Sequence, residues 1–98
     1  MERKIEGKYT YHNKTDDEDF EYTIIKHIGI LKNKNSQGVM NKELNLIQWG
    51  DNKPILDLRR WSKNHKHMSK GLTLLWPEAM ELKKLLNSID IEALWKEY

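Results

Sequence analysis

The sequence predicts an α+β domain, a four-stranded sheet followed by a C-terminal helix. Three observations predict it. Residues 20–76 hold four runs of alternating β-branched, aromatic and aliphatic residues, separated by polar turns. From Pro77 onward the apolar residues recur at helical spacing. The length of 98 residues supports one domain with a modest core, a limit that a second copy would relieve. Residues 1–19 read as an N-terminal extension and residues 20–98 as the domain itself.

In the extension, residues 8–12 set Tyr9 and Tyr11 on one face, as in a strand. Residues 13–19 carry four consecutive acids. They read either as the turn of an extra hairpin leading into Phe20, Tyr22 and Ile24, or as a solvated loop. Residues 20–32 are β-branched and aromatic and form a strand, with Gly29 marking a bulge or bend. A polar loop covers 33–41, and 42–49 form the next strand. Gly50 and Asn52 permit a turn that Pro54 closes. Residues 55–61 are the third strand, 62–70 a basic polar loop and 71–76 the fourth strand. Pro77 opens the helix, with Glu78 and Glu81 suited to its N-terminal end. Ala79, Leu82, Leu85, Leu86 and Ile89 share one side. Ile91, Leu94, Trp95 and Tyr98 fall on the opposite side of a continuous helix, so the helix breaks near 87–90 and the last turns pack separately.

A net charge of +2 conceals a strong asymmetry. Residues 1–22 sum to −3, residues 23–76 to +7 and residues 77–98 to −2. A basic centre between acidic flanks suggests a face for a polyanion. With no cysteine, disulfides, cysteine-based zinc sites and thiol nucleophiles are excluded. No run is long enough for a membrane span, and the first residues lack the apolar stretch of a signal peptide, so a cytoplasmic protein without membrane association is expected.

Strand alternation sorts the side chains. Leu44, Leu46, Leu56, Leu58, Leu72 and Leu74 share the face that the helix would cover. The opposite face receives Trp49, Arg59 and Trp61, with Lys42 and Lys70 at strand edges and Lys63, His65, Lys66 and His67 in the adjoining loop. Aromatic rings stack on unpaired bases, and cations neutralise phosphates, so such a face suits single strands. The alternative is that Trp49 and Trp61 bury in a dimer interface or under the N-terminal extension.

The segments Leu46-Ile47-Gln48-Trp49, Asp57-Leu58-Arg59-Arg60-Trp61 and Lys70-Gly71-Leu72-Thr73-Leu74, followed directly by a helix, resemble the single-stranded-DNA-binding domain of transcriptional coactivator positive cofactor 4. The likeness is strongest to its short bacterial members and spans residues 20–88. It implies a strongly curved four-stranded antiparallel sheet and a helix, assembled as a homodimer. It also implies that Trp49 stacks on a base, that Arg59 and Lys70 contact phosphate, that Trp61 is a second aromatic of the site, and that Gly71 allows close backbone approach. Lys42 matches a basic residue early in its strand. Trp76 before Pro77 departs from the small polar cap common in that family, and the N-terminal extension is unusual for its short members.

Other chemistry is poorly supported. His65 and His67 have no neighbouring acidic ligand, and the acidic run lacks the alternation of a calcium loop. Asp57 and Arg59 read as a local ion pair. No nucleophile–base set or phosphate loop is present, so neither an enzyme nor a cofactor is expected. The expected function is binding of single-stranded DNA with little sequence preference, in transcription, replication or repair, through Lys42, Trp49, Arg59, Trp61, Lys63, Lys70 and Gly71. RNA binding through the same face, or a protein-interaction module, are the alternatives; the transcription machinery is a possible partner.

Overall fold

The computed structural model of the chain describes residues 5–11, 19–32 and 40–98. Five strands run in chain order across one antiparallel sheet: β1 (Gly7–Tyr11), β2 (Phe20–Ile30), β3 (Met40–Trp49), β4 (Ile55–Ser62) and β5 (Leu72–Leu74). Two helices follow, α1 (Trp76–Asn87) and α2 (Ile91–Lys96). The α+β class holds, with one strand more than the four of the domain proper. The extra strand is β1, which pairs with β2 from Gly7↔Ile24 to Tyr11↔Phe20, so the hairpin reading of the extension is the one the fold adopts. The acidic run lies outside the described residues except for Asp19, as does most of the 33–41 loop.

β2 is bulged twice. Its pairing with β3 skips Ile25 and then Ile28, the second beside Gly29 as expected. Each skip inverts the alternation that follows. Tyr22, Ile24, His27 and Ile30 therefore share one face, paired with Trp49, Ile47, Asn45 and Glu43. Without the bulges Lys26 would stand where His27 stands.

The sheet is strongly coiled, and the register shows how strongly. Trp61 lies opposite Asn41, whereas Tyr22 lies opposite Trp49. Along β3 these two points would be about 26 Å apart in a flat sheet. Yet the Tyr22 and Trp61 rings are 5.5 Å apart. Diagonal corners of the sheet meet, and the enclosed concave face becomes the core.

That core corrects an expectation. The fully buried apolar residues are Tyr22, Ile24, Ile47 and Trp61, with Ile5, Tyr9, Tyr11, Trp49 and Met68 packed around them. They belong to the face expected to look outward. The leucine face carries α1, yet no residue of α1 or α2 is buried. Coiling decides this: the aromatic face curls onto itself and needs no helix to close it.

The helix breaks as its apolar pattern requires. α1 ends at Ser88, whose N–H reaches the Lys84 and Leu85 carbonyls, and α2 starts from Asp90, whose Oδ1 accepts the Ala93 N–H at 3.0 Å. At the start of α1 the cap position is Leu75, which offers no polar side chain. Glu78 supplies the reciprocal half of a capping box, its Oε1 accepting the Leu75 N–H at 2.8 Å.

Candidate nucleic-acid interface

Seven rings form a continuous array on the concave face. Tyr9 stacks on Tyr22 and Tyr11 on Phe20, and Tyr22 touches Trp49 and Trp61. His65 closes the array against Trp61. Trp61 is 0 % exposed, so it offers no face to a nucleotide; of the two alternatives for this residue, burial with the N-terminal hairpin is what the fold shows. Trp49 is half-buried, and the Arg59 guanidinium covers its ring at 4.8 Å. Phe20, 42 % exposed, is the ring of the array that solvent reaches most fully. The indole N–H groups of Trp49 and Trp61 are both buried and find no acceptor among the described residues.

Arg59 is committed within the chain. Its Nε donates to Asp57 Oδ1 at 2.7 Å and its Nη2 to Asp57 Oδ2 at 2.6 Å, a two-point pair of the kind the local-pair reading anticipates. Asp57 is fully buried, and burial raises its carboxyl above the usual range despite the opposing hydrogen bond and charge of Arg59. Gly71 is explained by the same residue. A Cβ at position 71 would collide with the Arg59 side chain and stand 2.7 Å from the Leu58 carbonyl oxygen. The close approach that glycine permits is therefore between strands, against β4.

A buried polar relay, not anticipated from the sequence, lies beside the rings. Both carboxylate oxygens of Glu43 sit 2.9 Å from His65 Nε2, and Asn45 Nδ2 donates to Glu43 Oε1 at 3.1 Å. Asn45 Oδ1 in turn contacts His27 Nδ1 at 2.6 Å. His65 has a positive φ of 60°, a strained conformation for a residue with a side chain. It is held there by Glu43 and by Tyr22, whose hydroxyl donates to the His65 carbonyl. Burial, reinforced by Tyr9 and Tyr11, pushes the Tyr22 hydroxyl up to about 12. The alternation of Glu43 and Asn45 with Ile47 was the only sequence signal for the relay. His65 had none, because its approach to Glu43 spans 22 positions.

One group of exposed cations gathers at one end of the sheet. Lys42 lies directly opposite Arg60 across β3 and β4, on the leucine face and not on the face of Trp49 where the sequence reading grouped it. Like charges so placed repel each other. The turn after β4 adds exposed Lys63 and Lys66, and Lys70 follows. This turn is tightly built: Ser62 Oγ donates to Asn64 Oδ1 at 2.7 Å, the Lys66 N–H reaches that same oxygen at 3.0 Å, and the Ser62 N–H reaches the His67 carbonyl at 2.9 Å. From residue 58 to residue 77 the chain has no acidic residue. Arg59 Nη1 reaches the Ser69 carbonyl at 3.5 Å, which ties the chain just before Lys70 to the Trp49 edge of the ring array.

No described helix is long and apolar enough to cross a membrane. No protein-family profile matches the chain. It is similar to an uncharacterized protein of Treponema pallidum (strain Nichols), with 33 % identity over 75 residues that cover 76 % of this chain and 86 % of the relative.

Proposed function

We propose that this chain, which belongs to the same family as that Treponema pallidum protein, binds single-stranded nucleic acid, with DNA as the first substrate to test, in transcription, replication or repair. The observation that carries the reading is the basic sheet end. Lys42 and Arg60 face each other across two strands, Lys63, Lys66 and Lys70 follow, and no acid interrupts the stretch. A polyanion relieves the repulsion, and each phosphate neutralised releases counterions. Single strands are favoured because Phe20 and the edge of Trp49, linked through Arg59 to the chain just before Lys70, can meet only unpaired bases. Trp61, Arg59 and Gly71 act here as the framework that holds the rim in place. The acting species is a homodimer, because in one chain the leucine face is only half-buried beneath α1 and neither helix buries a residue.

Fluorescence anisotropy with oligo(dT), duplex DNA and RNA tests the proposal. Replacing Lys42, Lys66 and Lys70 together by Ala should weaken oligo(dT) binding at least tenfold and lower the log–log salt slope by about 2, at ~0.7 per lost phosphate contact. Phe20→Ala should cost about 1–3 kcal/mol of single-strand affinity. A salt-independent signal, or equal binding of duplex and single strands, defeats the reading. Capture of a protein partner with no nucleic-acid binding would favour an interaction module.

A further inference from the structure

The last 27 residues carry twelve large apolar side chains left exposed, from Leu72 to Tyr98. They present roughly 1,500 Å² of surface, about twice the ~800 Å² that each partner buries in a standard specific interface. So much exposed apolar surface concentrated in one short segment marks an interaction site. Two hollows divide it. One is a groove of about 350 Å³ between α1 and the sheet, lined by Leu44, Leu56, Leu74, Ala79, Leu82 and Leu86, with Lys83 at its side. The other, of about 530 Å³, is lined by the α2 strip itself: Ile91, Leu94, Trp95 and Tyr98. Trp95 is 82 % exposed and Tyr98 fully so.

We infer that α2 is an exchanged arm: Leu94 and Trp95 of one copy seat in the Leu44–Leu56–Leu74–Leu82 groove of a second copy, and the second copy returns the contact. The inference rests on the homodimer reading above and names the interface that reading requires. Three observations select this occupant. Ser88 closes α1 and Asp90 caps α2, so the connection holds α2 off the end of α1, and the lining of the α2 hollow includes no residue of the chain's own sheet. The apolar strip of α2 is flanked by Asp90 and Glu97, beside an internal Glu92–Lys96 pair, and these two acids complement Lys83 beside the groove. A reciprocal exchange also covers both hollows at once with a two-fold axis, leaving no open apolar end to propagate.

The native chain has no cysteine, so single thiols can be placed cleanly. Full-length Ala79→Cys and Leu94→Cys chains, one isotopically heavy, are mixed, treated with a short bis-maleimide and read by mass spectrometry. Light scattering of native and Trp95→Glu chains gives the mass across concentration. The expected result is a native dimer, an inter-chain 79–94 link between light and heavy chains, and at least a hundredfold weaker dimerisation for Trp95→Glu. A dimer that forms no such link and tolerates Trp95→Glu overturns the exchange while the homodimer reading survives. A native chain that stays monomeric at tens of micromolar overturns both.

Discussion

The two faces of this one sheet solve opposite problems. The concave face closes on itself: coiling brings Tyr22 and Trp61 together, the β1 hairpin stacks Tyr9 over Tyr22, and the turn after β4 adds His65 and Met68. The leucine face is richer in aliphatic residues, yet α1 only rests on it and none of its residues is buried. The difference shows that apolar content does not decide where a small chain places its core. A face seals when curvature lets it meet itself; a flat or convex face needs another layer, and one short helix is too narrow a layer.

The largest effect that can break this comparison is on the concave side. Arg59→Met leaves the buried Asp57 carboxylate without its partner, and should cost about 3–5 kcal/mol of stability in urea unfolding, independent of protein concentration. Adding Asp57→Asn should restore much of that loss. On the leucine side, Met80→Ser, at a position 67 % exposed in one chain, should lower the melting temperature only by weakening self-association, so its effect should vary with protein concentration. Equal concentration dependence for the two variants would erase the contrast between the faces.

A smaller effect is expected of Gly71→Ala, about 1–3 kcal/mol, because the added methyl must displace Arg59 or the Leu58 carbonyl. Smaller still at ordinary pH is the contribution of Tyr22. Its hydroxyl ionises near 10 in the unfolded chain and at about 12 in the fold. The unfolded chain therefore loses its proton first. Stability is undiminished below pH 10 and falls by about 2–3 kcal/mol between pH 10 and 12. Tyr22→Phe should flatten that alkaline limb in a pH series of thermal melts; an unchanged limb would show that another group governs it.

Much of the fold is legible in the residues. Alternation locates the strands, Gly29 marks a bulge, and the half-turn offset between Leu86 and Ile91 marks the break between the helices. Shorter strands than expected are local effects. β5 spans only Leu72–Leu74 because the chain at Lys70 and Gly71 is drawn against Arg59, and α1 begins one residue early at Trp76 with Glu78 closing its first turn. The site is legible in part. Trp49, Arg59 and Trp61 do share a face, as alternation requires, and Arg59 does pair with Asp57. Alternation also puts Lys42 with the leucines, but reading it as an edge residue obscured this.

By itself, then, the sequence determined which side chains stand together, since a two-residue period fixes faces before any folding occurs. It also fixed a basic central segment, since charge along the chain is independent of geometry. Only the tertiary structure decided which face is interior. That choice depends on how tightly the sheet coils, a sum of small twists and two bulges with no counterpart in any single residue, and it is why Trp61 lies in the core while the leucines of the other face stay half-buried.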